Sequence, residues 1–364
     1  MKCFFAFLVL SISLTASEYP WIRQQVNEDL ADVPHRSFHS RDIRNLFGAM
    51  DKQGHQVLYY SIKNNQLVLR SSARQDGFRM PHIHNYLLGL AQRRKLPDTE
   101  FIIRYDDGVI TPSPLPIFSF SKHRDAKNVC LFPDFEMLWE LASRERSLLP
   151  VCQKLSALHP WKTKQPVGFF RGMSTGRWDP SLPDFGNDRV RLTIFSYQHP
   201  SLVDATISAL WQSDLREYLA SIGKEVTSAS METHFQYKYL FDVDGNASTY
   251  SRCRWILLSN SVLLKMMSGY SQWYYKALQP YVNFVPIKSD LSDLIDILKF
   301  LKTHDKEAHQ IADDGTSLGN RIFSYDAVDQ YVVTLLKEYS KRMRSKKSKH
   351  PRHQKGSNIG GRIY

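Results

Sequence analysis

Two segments of this 364-residue chain carry cations beside short apolar runs, an arrangement suited to gripping a phosphate-bearing ligand. In the first, the apolar run at 167–170 ends in Phe170-Arg171-Gly172, with Ser174, Thr175 and Arg177 close behind. A guanidinium takes phosphate oxygens in a two-pronged fashion, and Gly172 lets the backbone approach closely. In the second, residues 237–261 read YKYLFDVDGNASTYSRCRWILLSNS. Strand alternation puts Tyr237, Tyr239 and Phe241 on one face and Lys238, Leu240 and Asp242 on the other. A lysine inside such a strand requires a carboxylate, a carbonyl or a bound anion. The turn that follows, with Gly245, Ser248 and Ser251, opens a helix that has Arg252 in its first turn. Backbone N–H groups there and Arg252 can together hold a diphosphate. The same residues also suit an ordinary strand, turn and capped helix. The chain contains no G-x-G-x-x-G, Walker or G-x-S-x-G motif, so phosphate binding would rest on side-chain cations and helix ends.

Elements must bring these segments together. Residues 55–72 switch to β-rich composition around Asn64-Asn65, a hairpin signal. A helix is predicted at 85–94, a strand at 101–105 ending in the turn Asp106-Asp107-Gly108, and a strand at 116–121. Beyond residue 165, strands at 167–170, 237–243, 261–266 and 281–286 alternate with helices at 202–222, 250–258, 272–278 and from Leu291 to Leu301, the last capped by Asp290. Short apolar strands separated by helices imply parallel βαβ units. The expected fold is α/β, with an N-terminal lobe at 18–165 and a Rossmann-like C-terminal lobe at 166–342. Such sheets bind ligands at the carboxyl ends of their strands, here the loops 171–178, 244–251 and 286–290.

The ordered run of FFRGMSTG (169–176), HPSLVDA (199–205), PIFSFSK (116–122), FPDF (132–135) and the 237–261 segment resembles glycosyltransferase family 90. That family includes Rumi-type protein O-glucosyltransferases and bacterial lipopolysaccharide-modifying transferases. The resemblance implies two Rossmann-like lobes of GT-B-like type around a cleft. It also implies a UDP-sugar as co-substrate, with no metal and no further cofactor, and a hexose or pentose moved to a hydroxyl of a glycan, lipopolysaccharide or protein. It places Arg171 and Arg252 on the donor, with Lys238 and the loop from Gly245 to Ser251 beside it. The segment matching the carboxylate base of inverting members is 121–135. The acid position falls there on Asn128 or Val129, which cannot take a proton, leaving Asp125 as first candidate and Asp134 as second. A member that has lost catalysis and binds glycan or protein is the alternative.

Composition is that of a globular protein, with 42% hydrophobic and 23% charged residues. Of the formal net charge of +12, nine units lie between Lys341 and Tyr364, leaving +3 for the rest. The body therefore lacks the basic face of a nucleic-acid-binding domain. The tail, 343–364, is expected to be disordered, either simply solvated or drawn to an anionic membrane surface. Residues 1–17 have the pattern of a signal peptide or membrane-anchoring leader. The leader favours export, whereas the sequon Asn246-Ala247-Ser248 in the donor loop favours the cytoplasmic face of a membrane over a secretory lumen. Cys130, Cys152 and Cys253 are expected to be buried thiols rather than to include a 130–152 disulfide.

Overall fold

Asn64 and Asn65 both adopt positive φ, 50° and 63°, the backbone that a two-residue hairpin turn requires. They join β1 (Val57–Lys63) to β2 (Gln66–Ser71), as the sequence predicts. The computed structural model describes residues 19–75, 77–107, 111–143, 147–212 and 214–344. The leader at 1–17 and the tail beyond Arg344 lie outside the described residues. Met343 and Arg344, assigned above to that tail, instead pair with Phe38: Met343 in a β-bridge, and the Arg344 N–H by donating to the Phe38 carbonyl at 2.7 Å.

Across β1 from β2 lies β3 (Thr99–Arg104), antiparallel to β1 and followed in parallel by β4 (Ile117–Ser119). After the short β5 (Lys122–His123), β6 (Val129–Leu131) completes a sheet of order β2-β1-β3-β4-β6. The second sheet is wholly parallel. Its strands are β7 (Gln165–Gly172), β8 (Val203–Ile207), β9 (Tyr237–Asp242) and β10 (Val262–Met267) and, after the short β11 (Tyr270–Ser271), β12 (Val285–Lys288), in the order β12-β10-β9-β7-β8. This is the doubly wound order in which the strand order reverses between the first and third strands, here β7 and β9, leaving a crevice at their carboxyl ends. The fold is thus α/β with two sheet-based lobes, the first of them mixed rather than parallel throughout.

Four elements differ from expectation. The helix expected at 202–222 is β8 followed by the helix Asp214–Ser221, and the preceding helix, Asp188–Gln198, begins at Asn187, whose side chain accepts from the N–H groups of Arg189 and Val190. The run VDATI is short and bounded by His199-Pro200, and burial between β7 and the helices over it selects a strand. The strand expected at 281–286 starts only at Val285, because Tyr281, at φ 61°, turns the chain first. Asp290 accepts from Ser292 N–H in a turn instead of capping the helix, which runs Leu294–Thr303, and only the single 3-10 turn Tyr275–Ala277 forms within 272–278.

The lobes share one apolar core. Trp273, beyond β10, packs its ring 5.6 Å from Trp21 and 5.0 Å from Tyr331, and all three are buried. The helix Tyr325–Ser340 returns to the first sheet, where Tyr331 donates to the Leu131 carbonyl at 2.8 Å. β5 and β11 pair antiparallel and stitch the lobes together. Cys130, Cys152 and Cys253 are buried free thiols, and no helix among the described residues is long and apolar enough to cross a membrane.

Asp29 closes the helix Pro20–Asp29 onto the first sheet, accepting from Lys122 Nζ at 2.6 Å and Leu131 N–H at 2.8 Å with its side chain wholly buried. Burial pushes its carboxyl pKa up even against Lys122, so the charge is held at a cost and removing one partner is expensive. Asp29→Ala should destabilise the protein by about 3 kcal/mol, read from urea unfolding, because it leaves Lys122 and the Leu131 amide without their acceptor.

Candidate active site at the crevice between the lobes

The loops after β7 and β9 are held together by one side chain. Arg189, from the first turn of Asp188–Gln198, donates through Nε to the carbonyls of Val243 and Asp244 (3.2 and 3.1 Å) and through Nη1 to the Met173 carbonyl and Thr175 Oγ1 (2.9 and 2.7 Å). The loops approach so closely at Gly245 that a Cβ there would lie 2.5 Å from Thr175 Oγ1 and 3.0 Å from Arg189 Nη2, so only glycine fits without displacement. Under the second loop, Asp242 is completely buried and accepts from Lys265 Nζ at 2.8 Å and from Thr249 Oγ1. Asp244 accepts from Ser268, while its other oxygen is buried without a partner, and burial first, then the Asp242 charge, holds its pKa up at about 6.

Arg252 is the unusual group. It is the second residue of the helix Ser251–Leu257, and its guanidinium lies against the rings of Phe170 and Trp255, 4.9 and 5.6 Å away. Its Nη2 donates to the Arg171 carbonyl at 2.6 Å, whereas Nη1 is shut from solvent and has no partner. Burial, reinforced by the nearby Arg189 charge, pulls its pKa down to about 10. A shielded guanidinium without a carboxylate is costly, and the usual resolution is a bound anion. Gly172 makes room for it: a Cβ there would meet Phe170 at 2.7 Å and Arg252 Nη2 at 3.4 Å.

The other residues singled out from sequence divide into two groups. Gly245 and Ser248 line a cleft of about 170 Å³ together with Thr175, Arg189, Tyr250 and Asp107. Ser248 Oγ lies 2.6 Å from Ser121 Oγ of the first lobe, and Ser251 donates to Glu136, whose pKa burial raises. Ser174 is buried and holds the loop after β7, donating to Gln212 and accepting from Trp211 N–H. Arg171 does not point where Arg252 does. It lies on the opposite face of β7, over Phe169, with Nη2 paired to Asp204 at 2.8 Å, so it meets the crevice through its backbone carbonyl. Lys238 sits at the entry end of β9, paired with Asp305 at 2.6 Å and over Trp161. Four residue steps along the strand, about 13 Å, separate it from Asp242 and the crevice.

Neither proposed base lines the cleft. Asp125 lies on an exposed turn, its carboxylate paired with His123 at 3.1 Å. Asp134 is buried and caps the helix Phe135–Ser143 through Met137 N–H at 3.0 Å. Asn128 donates to the Ser113 carbonyl, and Val129 opens β6. The carboxylate that does face the donor loop is Asp107, three residues beyond the end of β3. It accepts from Asn246 Nδ2 and Arg79 Nη2, both at 3.1 Å, and lies 3.5 Å from the Tyr250 hydroxyl. The sequence reading took Asp106-Asp107-Gly108 for a turn. The signal that marks it is position, since the carboxyl ends of strands in such a sheet are where ligands bind. The sequon residue Asn246 has its amide engaged on both sides, by Asp107 and by the Gly176 N–H at 3.1 Å. A larger hollow of about 710 Å³ between Ser40–Lys52, β1 and the end of the helix Tyr325–Ser340 is remote from this chemistry, and its Arg44 is already paired with Glu100.

Two sheet-based lobes thus meet at a crevice edged by Asp107 from the first and by the loops after β7 and β9 from the second. The chain belongs to glycosyl transferase family 90, whose model matches residues 17–358. It is 29% identical over 341 residues to protein O-glucosyltransferase 3 of Homo sapiens, covering 90% of this chain and 63% of that one. It is 27% identical over 300 residues to protein O-glucosyltransferase 1 of Homo sapiens, covering 78% and 72%. The chain thus spans a little over three fifths of the length of the first of these relatives. Among solved structures it is similar to Anabaena Alr3699/HepE in complex with UDP, at 12% identity and a TM-score of 0.36, over 51% of this chain and 52% of that one.

If Arg252 awaits an anion, Arg252→Gln should leave the apo unfolding midpoint unchanged or higher, since a buried unpaired charge is removed. Calorimetry with pyrophosphate as the anionic probe should show binding weakened about thirtyfold, the loss of one charged hydrogen-bonding partner worth about 2 kcal/mol.

Proposed function

We propose that this protein transfers glucose from UDP-glucose to a hydroxyl of a polypeptide, with inversion at the anomeric carbon. The observation that carries the reading is the Asp107 carboxylate of the first lobe facing the donor loop, with Arg252, in the helix that this loop opens, holding a shielded and unpartnered Nη1. Family membership supports glycosyl transfer, and the names of the curated relatives support glucose and a protein acceptor.

In the proposed step, Asp107 takes the proton of the acceptor hydroxyl as its oxygen attacks C1 of the glucose. The bond from C1 to the diphosphate oxygen breaks, and its electron pair leaves with UDP. Charge develops on that departing oxygen, and a guanidinium fixed in a dry setting stabilises it without reorganising. Arg252 and the backbone of the loop from Gly245 supply that stabilisation, so the reaction proposed needs no metal and no cofactor beyond the nucleotide sugar. The hydrogen bonds from Asn246 and Arg79 hold the Asp107 carboxylate in place toward the cleft.

The test is UDP release and product formation with UDP-glucose and a serine-bearing acceptor. Asp107→Asn should lower kcat by about 10²- to 10⁴-fold, the range for loss of a positioned general base, with UDP affinity retained. Asp125→Asn should stay within about twofold of wild type, as expected for a surface substitution. Full activity in Asp107→Asn would remove it as the base, and a wild-type protein that binds UDP but transfers nothing would favour the alternative of a glycan- or protein-binding member.

A further inference from the structure

The large hollow of the first lobe lies at the opposite end of the sheet from the crevice. β3 leaves it at Thr99 and runs five residue steps, about 17 Å, to Arg104 before the chain reaches Asp107. Its volume of about 710 Å³ is that of a small-ligand site. Four cations line it, Arg41, Arg44, Lys63 and Arg344, against two carboxylates, Asp98 and Glu100. Glu100 is already neutralised: Arg44 Nη1 donates to both its oxygens, at 2.7 and 3.0 Å, and the Tyr59 hydroxyl to one of them at 2.7 Å. Asp98, which accepts from the Asn64 N–H at 2.8 Å, remains as the acid against the other three cations. Neither Arg41 nor Lys63 is paired with a carboxylate among the described residues.

The root of the basic tail is built into the same wall. The N–H groups of Arg36 and Ser37 donate to the carbonyls of Lys341 and Arg342 at 3.3 and 2.8 Å, and Arg344 Nε donates to the Arg36 carbonyl at 2.6 Å. From there the sequence continues with Lys346, Lys347, Lys349, Arg352, Lys355 and Arg362 and no acid.

We infer that this hollow receives the phosphate headgroup of an anionic lipid, and that the basic segment 345–364, which starts at its rim, meets the same membrane surface. Concave walls of low dielectric concentrate the potential of the cations they carry. Guanidinium and ammonium groups without carboxylates are matched by phosphate oxygens. The N-terminal end of the helix Ser40–Lys52 opens on the hollow and adds the positive end of its dipole. The tail selects a surface over a free ion. Each basic residue near an anionic membrane adds about fivefold in affinity, whereas a lone phosphate offers a run of six nothing further to bind. Placement agrees, since a chain held at this end of β3 leaves its crevice open to solvent.

The experiment cosediments the full chain with vesicles of phosphatidylcholine alone, or with phosphatidic acid or phosphatidylserine added to equal surface charge. Arg41→Gln/Lys63→Gln is run beside the wild type. Glycerol 3-phosphate and heparin are the soluble probes, and UDP affinity and the urea midpoint report on the rest of the fold. Wild type should bind phosphatidic acid vesicles best, phosphatidylserine about fivefold less tightly and phosphatidylcholine not at all. The double variant should lose about twentyfold on phosphatidic acid, two charges at about fivefold each, and with it the preference over phosphatidylserine. UDP affinity and the urea midpoint should not change, as for other surface substitutions. If the midpoint falls, Lys63→Gln alone, at the exposed end of β1, is read instead and should lose about fivefold. A wild type that binds no vesicle, or a variant that binds them as tightly as wild type, would overturn the headgroup site. So would equal wild-type binding to the two anionic lipids, or glycerol 3-phosphate bound as tightly as vesicles. Heparin binding that the variant loses while its vesicle binding persists would assign the hollow to a soluble polyanion and overturn it as well.

Discussion

The site depends on the grip of Arg189 on four groups in two loops. A parallel sheet whose order reverses between β7 and β9 leaves a crevice there but does nothing to fix the loops that edge it. Loops carry unpaired carbonyls, and Arg189 satisfies those of Met173, Val243 and Asp244 at once from a rigid helix. Its planar fork loses little entropy per hydrogen bond, which a lysine in the same place could not match. Gly245 and Thr175 are then fixed by contact with it, and the approach of the two loops sets the width of the cleft.

Charge is distributed around this clamp in a consistent way. Lys265 is paired with Asp242, and Arg254, two residues beyond Arg252, is paired with Glu140 at 2.8 Å, so the buried cations that serve the fold have carboxylates. Arg189, with backbone carbonyls, and Lys164, with two carbonyls and a hydroxyl, have at least a full set of neutral acceptors; burial still draws Lys164 down to about 7. Arg252 has one carbonyl and a nitrogen left over. Arg171 and Arg254 also leave buried nitrogens without hydrogen-bond partners, but each is paired with a carboxylate; Arg252 has neither a paired carboxylate nor a full set of acceptors, and that points to a ligand rather than to loose packing.

How much of this could be read from sequence follows from what sequence encodes. The hairpin at Asn64-Asn65, the strands around 167–170 and 237–243 and the loops after them were legible because turn chemistry and apolar runs are local properties. The face of Lys238 was also legible, but alternation says nothing about which end of a strand a residue will serve, and Lys238 lies at the end away from the crevice. Arg189 could not be found, since three of its four partners are backbone carbonyls from separate residues, to which no side-chain type corresponds. Asp107 was overlooked for a different reason. An Asp-Asp-Gly run is a strong turn signal in its own right, and only the parallel placement of β3 against β4 makes it the rim of a cleft.

The way the lobes are joined bears on how such a cleft can work. Trp21, Trp273 and Tyr331 form a shared core, β5 pairs with β11, and Ser121 meets Ser248 at the rim. Opening the lobes as rigid bodies would expose those rings and break that pairing, a cost that grows with the apolar area uncovered. Motion that admits a ligand is therefore cheapest at Asn246, the exposed tip of the donor loop, whose side chain reaches the loop after β7 and the first lobe through polar contacts. One of those contacts, from Asn246 to Asp107, joins the donor loop directly to the carboxylate assigned the proton. A nucleotide sugar that draws Asn246 away as it binds would release one oxygen of Asp107 at the moment an acceptor hydroxyl needs it. The order in which the two substrates engage would then be built into a single hydrogen bond.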